Sequence, residues 1–514
     1  MSSTKGIWKV ITASSLGTLI EWYDFYIFGS LATVIAGQFF PRTNPTAALL
    51  STLATFAAGF IVRPFGALVF GRIGDLIGRK YTFLLTLIIM GGSTFAIGLV
   101  PGFASIGFAA PVIVLLLRLL QGLALGGEYG GAATYVAEHS PLHRRGYFTS
   151  WIQITATLGL FVSLGVILLT RHLLDPDQTK SVAKFNDWGW RIPFLLSVIL
   201  VIVSIYIRLR MKESPMFAEL KLAGKTSVNP LKESFIHKTN LKMVLLALFG
   251  ATMGQGVIWY TGQFYAQSYI ENSCKIDFDQ SRIIMIWAIL FATPFFVVFG
   301  AWSDRVGRKW IMLAGMLAGI LFYRPIFSRF LSGADINKWD KSSMQFLKSD
   351  TKISMAGEDS VLQVFSQYKL SDGSAYTMVL TDTLFKSRNK LAHIVQANKK
   401  AAFINIHLSR KEMTRFIALV WIMIIFVTMV YGPIAAFLVE MFPTRIRYTS
   451  MSLPYHIGNG VFGGLTPFIA TLLTTINTQN KLSGLAYPIL ISIVCLVIGT
   501  LYIRNYNDVE LATK

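Results

Sequence analysis

GRIGDLIGRK at Gly71–Lys80 returns as GAWSDRVGRK at Gly300–Lys309, an offset of 229 residues. VAEHSPLHRR at Val136–Arg145 returns more loosely as LVEMFPTRIR at Leu438–Arg447, and matching Glu138 with Glu440 and Pro141 with Pro443 sets that offset at 302. Two motifs repeated in the same order read as two related halves. The offsets differ by 73, so an insert of about that size separates the later copies. Composition places it at roughly 331–411, which is polar and lysine-rich with Asp and Ser clusters. Within it, VLQVFSQYKL and SAYTMVLTD alternate apolar and polar residues, which predicts short strands and a small folded cap.

Outward from these motifs the chain is apolar. Of 514 residues 53% are hydrophobic and 14% charged, with a mean hydropathy of +0.55; soluble domains carry about 25% charged residues. The net charge of +21 does not indicate a nucleic-acid binder, because the basic residues sit between long apolar runs. Cys274 and Cys495 are the only cysteines, so no disulfide framework is expected. Six runs lack any charge: Tyr81–Val100, Gly146–Thr170, Met243–Ile270, Ile283–Ser303, Phe416–Val439 and Tyr448–Asn480. Six more are apolar but interrupted: Val10–Phe40, Thr46–Phe70, Pro111–Ala137, Ile192–Ile207, Trp310–Phe330 and Leu482–Ile503. A span needs about 20 such residues, so twelve transmembrane helices are expected. The first lacks a small-residue cleavage site and is read as retained.

Alternate short loops hold Arg72, Arg79 and Lys80, then Arg144 and Arg145, then Arg305, Arg308 and Lys309, then Arg445 and Arg447. The excess of Lys and Arg places these loops, and both termini, on the cytoplasmic side. The expected order is an all-α membrane protein of two pseudo-symmetric six-helix bundles. The N-terminal bundle takes residues 1–210, a cytoplasmic linker 211–241, the C-terminal bundle 242–330 and 412–505, and a cytoplasmic tail 506–514. The insert at 331–411 falls between helices 9 and 10, on the extracytoplasmic side.

The first apolar run contains TASSLGTLIEWYDFYIFGS, Thr12–Ser30, with Glu21 and Asp24 the only charges between Lys9 and Arg42. Three residues apart, they share a helical face. A carboxylate at bilayer depth costs several kcal/mol unless paired, hydrated or protonated, which marks both as functional candidates. The fourth run holds Arg118, Gln121 and Glu128 within an arc of about 80°. Beside that stripe lies Gly122-x3-Gly126-x3-Gly130, a seam that lets another helix approach closely; the first helix is the expected partner. Asp24 paired with Arg118 would neutralise two charges that are costly alone. If Arg118 then moves away, burial favours the neutral acid and Asp24 takes a proton. A static structural pair is the competing reading, and Glu21 or Glu128 is an alternative or additional carrier.

These residues resemble a known family. Two halves, each with G-x-x-x-D-x-x-G-R-K, resemble the major facilitator superfamily. EWYDF at Glu21–Phe25, RPFGA at Arg63–Ala67, LGGEYGGAATYVAE at Leu125–Glu138, WGWRIPF at Trp188–Phe194, ESPMF at Glu213–Phe217 and FPTRIRYTSMS at Phe442–Ser452 resemble its metabolite:proton symporter branch. That branch includes transporters of proline and betaine, alpha-ketoglutarate, citrate and shikimate. The resemblance covers nearly the whole chain except the insert. It implies the same Asp24–Arg118 pairing, and it implies that Asp75 and Asp304 join cytoplasmic helix ends in an outward-facing state. Arg79, Arg145 and Arg308 are their expected partners in gating.

For substrate contact, Arg63 either faces an anion or snorkels to the interface, and Arg118 and Gln121 share that role. Run seven offers Gln255, Trp259, Tyr260 and Gln263, and run eleven Tyr455, His456 and Asn459. No phosphate loop, zinc spacing or catalytic triad is present, so no enzyme is expected. The expectation is proton-coupled import of a small carboxylate-bearing metabolite or zwitterionic osmolyte by alternating access. A monomer in a bacterial-type inner membrane is expected, needing the proton gradient but no cofactor, metal or nucleic acid. The alternatives are an exporter of the same fold, or a non-transporting receptor that uses the insert.

Overall fold

Backbone in hydrocarbon must satisfy its own hydrogen bonds, and the apolar runs fold as helices for that reason. The computed structural model describes residues 4–41, 44–77, 79–127, 133, 136–137, 140–209, 236–356, 359–384, 400–442 and 447–504. Among these, nine helices are long and apolar enough to cross a bilayer. Two bent pairs raise the number to as many as eleven: Thr18–Ser30 with Ala32–Phe39, turned by 63°, and Gln178–Gly189 with Arg191–Val203, turned by 50°. The helix Arg79–Leu99 adds the shorter apolar stretch Leu85–Leu99. Most of the expected linker, residues 210–235, lies outside the described residues.

The chain divides into two units. The larger comprises Met1–Tyr265, Ile289–Arg324 and Trp421–Lys514. Glycine decides how its helices approach. A Cβ on Gly122 would stand 1.8 Å from the Gly59 carbonyl oxygen, and one on Gly126 2.1 Å from that of Arg63. The seam therefore packs on the helix Pro45–Phe70, not on the opening helix Thr4–Ser30 as the sequence suggested. Gly122 and Gly126 lie about 40° and 80° from Arg118 around the helix axis, and Arg118 faces the same helix as the seam, its Nη2 donating to Phe56 O at 3.5 Å. The opening helix meets Leu142–Leu173 instead, where a Cβ on Gly159 would lie 2.6 Å from Trp22 Cβ. Gly130 lies outside the described residues.

Lys238–Asn272 carries π-helical turns at Leu248–Thr252 and Thr261–Tyr265, and Ser450–Ile476 carries one at His456–Gly463. Such turns loosen the backbone ladder and recur at functional sites. Here they accompany a glycine-lined crossing: a Cβ on Gly256 would meet the Gly458 oxygen at 2.5 Å, and one on Gly458 the Thr252 hydroxyl at 2.3 Å.

The smaller unit comprises Ala266–Ala288 and Pro325–Val420. Its sheet is an antiparallel meander of β1 Gln345–Ala356, β2 Asp359–Lys369, β3 Ala375–Leu384 and β4 Lys400–His407. Gly373, at φ +85°, supplies the left-handed residue of the β2–β3 turn. Aromatic rings cross the strands in a row, with centroids 5.8 Å apart for Phe346–Tyr368, 5.3 Å for Tyr368–Tyr376 and 5.6 Å for Tyr376–Phe403. β4 is anchored to the loop after Asn272: Asp277 N–H donates to Ile406 O at 2.9 Å, and Ile406 N–H to Lys275 O at 2.9 Å. The Gln280 amide closes the clamp, donating to Leu408 O at 3.0 Å and accepting from Leu408 N–H at 2.7 Å.

Candidate functional site

Among the described residues of the larger unit, Arg63, Arg118, Glu21 and Asp24 are each at most 1% exposed. The expected Asp24–Arg118 ion pair is not formed. Neither Asp24 oxygen has a hydrogen-bond partner among the described residues. Arg118 Nη1 donates instead to Gln121 Oε1 at 2.7 Å and to Phe25 O at 3.3 Å, while Gln121 Nε2 donates to Thr94 Oγ1 at 2.7 Å. The guanidinium lies over three rings, at 4.0 Å from the Phe25 centroid, 4.7 Å from Phe28 and 5.1 Å from Phe56. Each contact of this kind is worth up to about 2 kcal/mol when desolvated. Rings and carbonyl oxygens thus hold Arg118 where a carboxylate was expected. Its neighbour Gln121, one turn along the same stripe, competes successfully because it needs no helix to move.

Arg63 does not snorkel. Its guanidinium carbon sits 4.0 Å from the Phe60 centroid, 4.5 Å from Phe25 and 5.3 Å from Trp22. Nε and Nη2 find no hydrogen-bond partner among the described residues, although the hydroxyls of Tyr26, Tyr260, Tyr431 and Tyr455 lie within electrostatic reach. Phe25 is shared by both guanidiniums.

The second half of the sequence closes this layer. Trp259 stacks on Tyr26 at 5.4 Å and lies 6.5 Å from Trp22, and Tyr260 meets Phe60 edge-on at 5.0 Å. Gln255 Nε2 donates to Asn459 Oδ1 at 3.3 Å, Asn459 Nδ2 donates to the Tyr455 hydroxyl at 3.2 Å, and that hydroxyl lies 2.9 Å from that of Tyr431. Gln263 Nε2 reaches Thr157 Oγ1 at 3.5 Å. His456 is 2% exposed and Gly460, one turn on, packs against the Arg63 side chain. All the substrate-contact candidates are therefore buried within one unit.

A second cluster joins the repeated motifs. Arg308 donates from Nε to Glu440 Oε2 at 2.6 Å and from Nη2 to Oε1 at 2.5 Å, and from Nη1 to Asp304 Oδ1 at 2.7 Å. Asp304 also accepts from Gly146 N–H at 2.8 Å and Tyr147 N–H at 2.9 Å. These amides open the helix Arg145–Leu173, where a carboxylate is favoured by the unpaired N–H groups and the helix dipole. Arg145 stands 3.8 Å from Glu440. Glu128 and the side chains of Asp75 and Arg79 lie outside the described residues.

Sequence reasoning missed Glu440 as the partner of Arg308, although its match to Glu138 in the repeat was a usable signal. It also missed the phenylalanine cage, whose signal was the density of rings in EWYDFYIF and at Phe56 and Phe60.

Buried charge among helices long and apolar enough to cross a bilayer marks a polytopic membrane protein with a functional interior. The family described as "Sugar (and other) transporter" matches residues 9–347. An inner membrane metabolite transport protein, YhjE of Escherichia coli (strain K12), is 31% identical over 91% of this chain and 88% of its own length. The alpha-ketoglutarate permease of the same organism is 30% identical over 98% of this chain and 95% of its own length. The proline/betaine transporter of that organism is 35% identical over 62% of this chain, and the match spans 64% of that relative. A solved structure titled as a partially occluded inward-open conformation of the xylose transporter XylE from E. coli aligns with TM-score 0.63 at 15% identity, covering 97% of this chain and 98% of that one. The chain belongs to the sugar (and other) transporter family of the major facilitator superfamily, and its relatives are those of the metabolite:proton symporter branch.

Proposed function

We propose that the protein imports a small carboxylate-bearing metabolite or zwitterionic osmolyte with protons, through two six-helix bundles that alternate access to the central layer. The observation that carries this reading is Arg63, buried among rings with Nε and Nη2 unpartnered, in the same unit as the equally unpartnered Asp24. Buried donors of this strength call for an acceptor, and a guanidinium beside tyrosine hydroxyls suits a carboxylate. With Glu21 and Asp24 both ionised, the four buried charges cancel. Protonation of Asp24 leaves one positive charge in excess, which favours entry of an anion, so proton and substrate help each other to bind. Each proton supplies about 1.4 kcal/mol per pH unit and about 2.3 kcal/mol per 100 mV. The Arg308–Asp304–Glu440–Arg145 cluster acts as the cytoplasmic gate that must open for release. The names of two relatives, an alpha-ketoglutarate permease and a proline/betaine transporter, support this substrate class. An inner-membrane location, cytoplasmic termini and twelve spans with an extracytoplasmic insert belong to the same proposal.

The test is uptake of radiolabelled 2-oxoglutarate, citrate, proline and glycine betaine into proteoliposomes under an imposed inward proton gradient. Accumulation of at least one, abolished by a protonophore, is expected. Gradient-driven efflux of apolar cations with no uptake of any of the four would establish the exporter instead.

A further inference from the structure

We infer that the smaller unit carries a second ligand site, for a small organic or inorganic anion, that shares no residue with the central layer. A cavity of about 750 Å³ opens between the end of the helix Arg308–Gly333, the loop around Trp339, the β2–β3 turn and the first turns of the helix Arg410–Tyr431. That volume is typical of sites for small molecules.

The charge pattern of its wall selects the ligand. Each acid there already accepts a hydrogen bond inside the protein, and Glu412 alone has a cationic partner. Glu412 is paired with Arg415, Asp372 accepts from Ser374 N–H at 2.9 Å, and Asp340 accepts from Ser342 N–H at 3.0 Å. Two cations of the wall, Arg329 and Lys411, are exposed and their side chains make no hydrogen bond or ion pair among the described residues. An anion entering the cavity therefore finds two cationic donors, Arg329 and Lys411, that no protein acceptor occupies, whereas each carboxylate of the wall already accepts a hydrogen bond.

The wall is also preformed. Trp339 Nε1 donates to Gly333 O at 3.2 Å and its ring lies 6.2 Å from Tyr376, which fixes it at the end of the aromatic row. The Ser371 hydroxyl meets that of Ser343 at 2.8 Å, tying the β2–β3 turn to the loop below. A preformed pocket spends little on ordering when the ligand arrives. Carboxylate and phosphate meet this description equally, so the anion is either a free solute or the headgroup of an acidic lipid.

Protection from thiol labelling separates these cases and does not depend on transport. Ser371→Cys, or Ser332→Cys should the first misfold, places a thiol in the cavity wall of the full-length protein in nanodiscs; the native Cys274 and Cys495 are buried. Labelling by a charged maleimide is expected to be slowed saturably by citrate or inorganic phosphate in phosphatidylcholine nanodiscs. Arg329→Gln with Lys411→Gln should raise the protecting concentration by about 100-fold, the loss of two charge-assisted contacts. Arg63→Gln, which alters only the central layer, should leave protection unchanged, so failure here and failure of the transport reading are told apart. Protection without added solute, seen only in phosphatidylglycerol nanodiscs, identifies a lipid headgroup as the occupant. Unchanged labelling under all these conditions, or protection that survives the double substitution, overturns the site.

Discussion

Arg308 and Glu440, 132 positions apart, are joined by two hydrogen bonds, Nε to Oε2 at 2.6 Å and Nη2 to Oε1 at 2.5 Å. Both side chains are at least nine-tenths buried, at 8% and 6% exposure. Removing one partner of such a pair strands the other charge, at a cost of about 3–5 kcal/mol. Glu440→Gln keeps the shape and removes the charge, so it should favour the conformation in which this cluster has come apart. Ser150 packs under Gly300 at the same contact. A Ser150→Cys thiol should therefore react with maleimide faster by at least about tenfold in the Glu440→Gln background. Equal rates would show that the cluster does not hold the contact closed.

Arg63→Gln tests the anion-binding role of the second helix. The substitution removes the charge and the forked donor but leaves a polar group under the rings of Phe60 and Phe25. Loss of a charge-assisted contact costs about 1.5–3 kcal/mol, or roughly 10–100-fold in apparent affinity for a carboxylate substrate. Arg63→Lys should recover only part of this, because an ammonium cannot grip bidentately. Competition binding with the transported solute measures both. Full affinity in Arg63→Gln would assign the carboxylate to Arg118.

Much of this arrangement was legible in the sequence, because repeats and apolar runs are properties of the chain itself. The duplicated G-x-x-x-D-x-x-G-R-K placed Asp304 and Arg308 correctly beside a helix end, and the alternation in VLQVFSQYKL anticipated β2. What was not legible concerns which helix faces which. Spacing shows that Arg118 and Gln121 share a stripe and that Gly122 and Gly126 form a seam, but no spacing says that the seam meets Gly59 and the stripe meets Phe25 and Thr94. The same limit hid the aromatic cage. A buried guanidinium is stabilised as readily by three rings and two carbonyls as by a carboxylate, and only the packed structure shows the rings converging.

The seam makes its own prediction. A methyl group on Gly122 has nowhere to go, since its Cβ would fall 1.8 Å from the Gly59 oxygen, a backbone atom that cannot rotate aside. Gly122→Ala must push two helices apart, and overpacking of this kind costs about 1–3 kcal/mol or more. Gly92→Ala is the matched control, because a Cβ there meets nothing within 4 Å. In detergent, the thermal midpoint of Gly122→Ala should fall by several degrees with loss of monodisperse protein, while Gly92→Ala should behave as wild type. Similar behaviour of the two variants would refute the close helix crossing.

Asp24 is the sharpest test of coupling, because it is buried at 1% exposure with neither oxygen bonded. A carboxylate held only to balance Arg118 would touch it, and this one does not. A buried carboxyl group without a partner is costly to keep, which marks it for a role. Asp24→Asn imitates the neutral acid permanently. The variant should bind substrate and exchange it across the membrane, since the layer already holds its excess positive charge. It should not accumulate substrate against a gradient, since no proton can be released on the far side. Counterflow at close to the wild-type rate with gradient-driven uptake lost is the expected pair of results in proteoliposomes. Concentrative uptake by Asp24→Asn would move the coupling to Glu21, one turn earlier on the same helical face, where Glu21→Gln should then produce the phenotype.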